Sequence, residues 1–119
     1  MATQTPDQLQ GKTCKPFEGG VEKLTPQQAK EQIIELAGWK LTRDGNWIEK
    51  KWAFDNFQQC LNFLNHIGEV AETEQHHPDL HLEGYKTVRV EISTHAIGGL
   101  SENDFILAAK IDGIDVKSL

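Results

Sequence analysis

The sequence has little cysteine, no excess of positive charge and no long hydrophobic run. Its two cysteines, Cys14 and Cys60, are far apart and form no CxxC pair, which argues against a disulfide framework and favours a reducing compartment. The chain has 12 Lys and Arg residues and 18 Asp and Glu residues, which gives a formal net charge of -6. Without a basic cluster to offset that charge, the chain is not expected to bind nucleic-acid phosphates directly.

No apolar run approaches the roughly 20 residues that a membrane-spanning helix needs. The first residues, Met1 to Gln8, have neither a basic start nor an apolar stretch, so they do not look like a signal peptide. We therefore expect a cytoplasmic protein without a membrane partner.

The length of 119 residues suits one domain with one hydrophobic core. Residues 1–20 are polar and carry several prolines and glycines, which predicts a flexible, extended or partly disordered N-terminal arm. A tail without function is the simplest interpretation of that arm. Residues 21–119 are then the single folded domain.

Capping residues and apolar periodicity predict three helices. Thr25 opens the first helix in a capping-box pattern, and Gly38 is placed to end it. Asp55 is the expected cap of the longest helix, whose apolar stripe is wide enough to suggest contact with a second subunit. Ser101 is the expected cap of the third helix, and Gly113 is its expected end.

Alternating apolar residues predict four strands, around Trp39–Leu41, Ile48–Phe54, Leu80–Glu83 and Val88–Ile92. The order is α-β-β-α-β-β-α, with no crossover of the parallel type. This order favours an α+β fold: a two-layer domain with a four-stranded antiparallel sheet and three helices on one face.

Four of the five histidines lie between Glu72 and Asp104. Imidazole has an unperturbed pKa of about 6.5, so it can give and take protons near neutral pH. His76 and His77 stand where a helix must give way to a turn fixed by proline, and His95 follows the clearest strand. Two antiparallel strands can bring these positions together on opposite sides of a flat ligand.

Other interpretations of the histidines are weaker. Lone histidines are usually ordinary surface residues. A metal site is not expected, because the adjacent pair would point apart and the sequence has no HExxH, HxH or CxxC motif. Ser93 and Thr94 do not form a nucleophile elbow, and Cys60 lies in an apolar helix stripe.

Two carboxylates have competing explanations. Glu72 precedes His76 by four residues and could orient that imidazole on one helix face, or it could simply be a solvated helix carboxylate. Asp104 follows Ser101 by three residues and could cap the third helix or take part in catalysis.

One set of residues resembles the signature of the pterin-4a-carbinolamine dehydratase family, with every spacing kept: Glu72, His76, His77, Pro78, Tyr85, His95 and Asp104. The resemblance extends more weakly over about Leu24 to Ile111. The run from Cys14 to Gly20 is similar to a leader found in some bacterial and plastid members. Gln75, Leu80 and Asn103 depart from the animal pattern, which affects ring contacts and any inherited protein partner.

The resemblance implies the same fold and the dehydration of a 4a-hydroxytetrahydropterin, which aromatic amino-acid hydroxylases release, to the quinonoid dihydropterin. It implies catalysis by His76, His77 and His95, with His76 and His95 as the acid/base pair and His77 chiefly holding the pterin. No metal or organic cofactor is implied. The substrate-binding candidates are Glu72, Pro78, Ser93, Thr94, Asp104, Trp39 and Tyr85.

Two other functions stay open at this point. One is a binding or dimerisation module that acts as a transcriptional coactivator, as in some animal relatives. The other is a related dehydratase that acts on another pterin, for instance in molybdopterin metabolism. The wide apolar stripe of the longest helix suits a homodimer or homotetramer in each case.

Overall fold

The computed structural model describes residues 3–16 and 21–119. Within them the elements are, in chain order, α1 (Pro6–Gln10), α2 (Pro26–Ile33), β1 (Lys40–Thr42), β2 (Trp47–Ala53), α3 (Phe57–Glu74), β3 (Asp79–Glu83), β4 (Thr87–Ile92) and α4 (Glu102–Asp112). Short 3₁₀ turns follow β4 at His95–Ile97 and α4 at Val116–Ser118. The predicted α+β order is confirmed, and α1 is added to it.

All four strands are antiparallel and lie in the order β1-β2-β4-β3. Asp79, at the start of β3, is opposite Glu91 near the end of β4. Ile48, near the start of β2, is opposite Ile92. The chain just before β3, just after β4 and just before β2 therefore meets at one end of the sheet.

The two sheet faces differ in chemistry. Ile48, Val88, Val90 and Ile92 share one face, are fully buried, and belong to the same core as α3 and α4. The alternate positions carry charged side chains, and Arg89 there hydrogen-bonds to glutamates on β2, β3 and its own strand. This one-sided pattern is the one that the alternation in the sequence predicted.

The capping residues of α2 and α4 follow the prediction. Thr25 forms a capping box with the first turn of α2, although α2 ends at Ile33 and a turn carries the chain on to Gly38. Ser101 caps α4 and Gly113 follows its end.

The cap of α3 is one residue later than predicted. The Asn56 side chain accepts a hydrogen bond from the backbone N–H of Gln59 at 2.9 Å. The backbone N–H of Asp55 instead donates to the side chain of Gln59. Asn and Asp cap helices about equally well, so Asn56 can take the position expected for its neighbour Asp55.

The prediction of a flexible N-terminal arm is wrong for residues 3–16. That segment contains α1, whose Leu9 is fully buried in the core, and the backbone N–H of Gln4 donates to the buried side chain of Gln32. The cause lies in α4, where Phe105–Ala109 are all buried. A helix that is apolar all round needs cover on every side, and the sheet supplies only one. The predicted leader residues Phe17–Gly20 lie outside the described residues.

No helix among the described residues is both long enough and apolar enough to span a membrane.

Candidate active site

A pocket of about 210 Å³ opens at the end of the sheet where β3 begins and β4 ends. Its lining comes from two segments, Gln75–His77 and Ser93–Ala96. The antiparallel register explains this meeting, since the residues flanking the Asp79–Glu91 pair must lie near one another. The structure thus brings His76, His77 and His95 together.

The end of α3 sets the direction of the first segment. Gln75 adopts the left-handed conformation, with φ 53° and ψ 39°, and its backbone N–H donates to the carbonyl of Ala71. The N–H of His76 returns to the same carbonyl at 3.2 Å. A residue other than glycine pays roughly 1 kcal/mol for this conformation. The helix therefore stops here, three residues before Pro78, and His76 leaves the helical path.

His76 is held by Asp104. Its Nε2 lies 2.7 Å from Oδ1 of Asp104, whose side chain is fully buried. The other carboxylate oxygen accepts from the backbone N–H of Ser101 and the hydroxyl of Thr94, each at 2.8 Å. A carboxylate can only accept, so neutral His76 is assigned its proton on Nε2, which leaves Nδ1 free as a base. Asp104 therefore caps α4 and orients His76 at the same time.

His77 is paired differently. Its Nε2 hydrogen-bonds to a carboxylate oxygen of Glu72, and both side chains are more than half exposed. The predicted contact between Glu72 and His76 is not formed, because the left-handed Gln75 takes His76 off the helix face. Pro78 follows, half-buried, immediately before β3.

His95 is exposed, and its side chain makes no hydrogen bond within the described residues. Its ring meets the Trp47 indole edge to face, with the centroids 5.3 Å apart. The guanidinium of Arg43 lies 4.2 Å from the centre of the Trp47 ring and also donates to Glu91 at 2.7 Å. Trp47 therefore orients the imidazole of His95 in place of a carboxylate.

Trp47 is a site residue that the sequence analysis missed. It opens β2 next to Ile48, which is opposite the last residue of β4. The available signal was an aromatic residue directly after the turn formed by residues 43–46. The strand pairing needed to connect that signal with His95 was not available from the sequence.

Ser93 and Thr94 line the pocket, but their hydroxyls donate hydrogen bonds to other residues of the protein. The Ser93 hydroxyl donates to the backbone carbonyl of Asn46 at 2.7 Å, which ties the β1–β2 turn to the end of β4. The Thr94 hydroxyl is committed to Asp104, and its backbone N–H donates to Gly99. Both residues therefore shape the pocket through the loops that they fix.

Two sequence-predicted residues lie away from the pocket. Trp39 is buried, donates from Nε1 to Asp112 at 2.9 Å and contacts Trp52 edge to face. Tyr85 is 61% exposed in the β3–β4 turn, which is the opposite end of the sheet. The expectation that they shape this pocket is not met within the single chain.

Side chains of His, Cys, Asp and Glu in the described part of the chain form no group of three or more that could hold a metal ion.

Comparison with known proteins identifies the family. The family model for pterin 4 alpha carbinolamine dehydratase matches residues 22–114. The chain belongs to the pterin-4a-carbinolamine dehydratases. The matched stretch includes His76, His77, His95 and Asp104, while the N-terminal segment lies outside it.

Individual relatives agree with this assignment. A protein of Halorhodospira halophila, provisionally named as a pterin-4-alpha-carbinolamine dehydratase, is 47% identical over 106 residues, which is 89% of this chain and 96% of that protein. Pterin-4-alpha-carbinolamine dehydratase 2, mitochondrial, of Arabidopsis thaliana is 43% identical over 114 residues, which is 93% of this chain and 61% of that protein.

Solved structures share the fold. A crystal structure described as a transcriptional coactivator/pterin dehydratase from Brucella melitensis matches with a TM-score of 0.71 and 27% identity, over 77% of this chain and 97% of that one. A pterin dehydratase-like protein described as a RuBisCO assembly factor in the alpha-carboxysome matches with a TM-score of 0.53 and 22% identity, over 64% of this chain and 87% of that one. The second likeness concerns the fold alone.

Proposed function

We propose that this dehydratase-family chain converts a 4a-hydroxytetrahydropterin to the quinonoid dihydropterin and water by histidine acid/base catalysis. The C4a–O bond breaks, and the hydroxyl leaves as water after gaining one proton. N5 loses one proton as the double bond between N5 and C4a forms. The reaction therefore needs one acid and one base near neutral pH on the same substrate.

The observation that carries the proposal is the convergence of three imidazoles on one pocket, with one of them held by a buried carboxylate. The pocket residues come from two separate segments, one before β3 and one after β4, so groups can reach a flat ring from two directions. Family membership supplies the pterin as substrate class.

His76 is the proposed base. Its Nε2 is occupied by Asp104, which leaves the lone pair of Nδ1 to accept the proton from N5. The negative charge of a carboxylate at 2.7 Å stabilises the imidazolium that forms. Because Asp104 is also fixed by Ser101 and Thr94, the ring is oriented before substrate arrives.

His95 is the proposed acid, which protonates the departing hydroxyl. Its exposed position lets it exchange protons with water between turnovers. His77, also exposed and paired with Glu72, is proposed to hold the pterin. No step in this scheme requires a metal or an organic cofactor.

The test is a dehydration assay with synthetic 4a-hydroxytetrahydropterin after exhaustive chelation. His76→Ala and His95→Ala should each lower kcat by roughly 10²- to 10⁴-fold, the usual contribution of a positioned acid or base. His66→Ala is the matched control, since His66 is an exposed histidine of α3 outside the pocket. Wild-type rates in both pocket variants, or activity that zinc must restore, would contradict the scheme.

The competing function is a binding module. It is supported by the Brucella melitensis relative, which is described as a coactivator as well as a dehydratase. An inactive wild-type chain in the dehydration assay would favour this function. Activity on a different pterin alone would favour the third possibility, a dehydratase outside aromatic amino-acid hydroxylation. The presence of His76, His77 and His95 in one pocket favours an enzyme over a binding module.

We also propose a cytoplasmic homodimer or homotetramer. Cys14 and Cys60 are both free thiols, as expected in a reducing compartment. Leu61, Leu64 and Val70 of α3 are only half-buried in the single chain, so a second copy could cover them. Light scattering at micromolar concentration checks the assembly, and a monomer would contradict it.

A further inference from the structure

The N-terminal segment, residues 3–16, packs along α4 and reaches the residues next to the His76–Asp104 pair. Near one end of α4, the side chain of Gln10 donates to the carbonyl of Ala109 at 2.9 Å. Near the other end, Cys14 and Lys15 lie against Asn103, the residue next to Asp104. The segment therefore reaches from the far end of α4 to the turn that holds His76.

The side-chain amide of Asn103 forms two hydrogen bonds with the backbone of Lys15. The N–H of Lys15 donates to Oδ1 of Asn103 at 2.9 Å, and Nδ2 of Asn103 donates to the carbonyl of Lys15 at 2.7 Å. Asn103 is only 3% exposed. Two reciprocal hydrogen bonds on a buried amide fix its position, and they fix the first turn of α4 with it.

The same stretch of backbone also holds the end of α3. The N–H of Cys14 donates to the carboxylate of Glu74 at 2.8 Å, and Glu74 is the last residue of that helix. Glu74 is nearly buried, with Lys110 at 3.7 Å on its other oxygen. Two consecutive residues thus join the end of α3 to the start of α4.

The Cys14 side chain packs where the N-terminal segment connects the end of α3 to the start of α4. Burial raises the pKa of its thiol to about 12, with a further contribution from the nearby charge of Glu74. The thiol is therefore neutral at physiological pH, and it lies 3.6 Å from the carbonyl of Asn103. A thiol of this kind is a poor nucleophile and a poor metal ligand.

The two joined helix ends carry the two partners of the site. His76 comes two residues after Glu74, and Asp104 comes directly after Asn103. The distance between α3 and α4 at this point decides whether Nε2 of His76 meets Oδ1 of Asp104. Displacements of about 1 Å in supporting structure can cost roughly 100-fold in rate.

We propose that Asn103 is a positioning residue for the His76–Asp104 pair and that the backbone of Cys14 and Lys15 holds it in place. The inference rests on the proposed acid/base role of His76. It assigns a task to an N-terminal segment that the family model does not cover.

The test compares Asn103→Leu, which removes both hydrogen bonds at similar side-chain size, with the control Gln10→Leu. The control loosens the same segment but at the far end of α4. The readouts are kcat, KM and the ring-nitrogen chemical shifts of His76, which report its tautomer and its bond to Asp104. Lys15→Pro is a second variant, which removes the N–H donor to Asn103 and leaves the Asn103 side chain in place.

We expect Asn103→Leu to lower kcat by roughly 10- to 100-fold with a smaller change in KM, and to shift the ring nitrogens of His76. Lys15→Pro should change both readouts in the same direction. Gln10→Leu should leave them at wild-type values, since Gln10 contacts no part of the site.

Two results would overturn the inference. One is an unchanged His76 spectrum and kcat in folded Asn103→Leu or, should that variant not fold, in Lys15→Pro. The other is an equal effect from Gln10→Leu, which would show only general loosening. The spectrum needs no substrate, so it tests the positioning even if the wild-type chain proves inactive on pterins.

Discussion

At the scale of single residues, three donors converge on the carboxylate of Asp104, and one of them is His76. We expect Asp104→Asn to lower kcat by roughly 10²- to 10⁴-fold, because an amide can donate to Nε2 and stabilise the wrong tautomer. Steady-state kinetics measures this loss. The matched control is Asp112→Asn. The Asp112 carboxylate lies outside the pocket and accepts hydrogen bonds from Trp39 and Lys50.

Equal kinetics for these two variants would mean that Asp104 serves only as a helix cap. In that case Asp104→Asn would lower the free energy of unfolding and leave kcat at its wild-type value. A change in kcat confined to Asp104→Asn would separate its orienting role from its capping role.

Trp47 provides a second prediction at this scale. Trp47→Ala removes the ring that orients His95, so kcat should fall roughly tenfold or more while the pterin still binds. Trp47→Phe keeps an aromatic face and should retain most of the activity. Trp39→Phe is the control, since Trp39 is buried outside the pocket. Wild-type kcat in Trp47→Ala would show that His95 needs no such support.

Residue types, their spacing and the family resemblance singled out the three histidines and the two carboxylates as candidates, but not their pairing. Helical spacing assigned Glu72 to His76 by the i, i+4 rule. That rule fails because Gln75 adopts a left-handed conformation, which few residues other than glycine take up. The true partner of His76 is 28 residues away in sequence, and only the tertiary fold brings the two together.

At the scale of secondary-structure elements, α4 shows what the sequence analysis overlooked. The run from Phe105 to Ala109 has no polar face, which indicated a helix covered on all sides. The identity of the covering segment could not be inferred, because α1 is short and polar apart from Leu9 and Pro6. Likewise, alternation predicted which strand face is buried but not the neighbour order β1-β2-β4-β3.

The attachment of the N-terminal segment should depend on pH through Glu102. Burial by itself would raise the pKa of Glu102, but hydrogen bonds from Gln4 and Lys12 outweigh it and hold the pKa below its usual value of 4.5. A carboxyl whose pKa is lower in the folded state adds stability above its unfolded pKa and loses that contribution as pH falls through the folded pKa.

We therefore expect wild-type protein to be more stable than Glu102→Gln above about pH 5, and the difference to shrink as pH falls below about 4.5. Urea unfolding across this range measures it. Glu35→Gln, at an exposed carboxylate after α2, should show no such trend. A wild-type advantage that persists unchanged to about pH 2 would contradict the stated role of Glu102.

At the scale of the whole molecule, the site is a consequence of the sheet register. Antiparallel pairing of β3 with β4 puts the residues before Asp79 beside those after Glu91, and pairing of β2 with β4 adds Trp47. The α+β class and the four strands were predictable because period-two alternation and turn residues are local signals. The site itself required the register, which is a property of the complete sheet.

The most direct test of histidine acid/base catalysis is the pH dependence of the dehydration rate, with the uncatalysed reaction subtracted at every pH. An acid and a base acting together predict a bell-shaped profile for the wild-type chain. His95→Ala should lower kcat and remove one limb of the bell, whereas His77→Ala should mainly raise KM. A profile that is flat from about pH 5 to about pH 9 and unchanged in His95→Ala would contradict the account and leave the histidines as binding groups only.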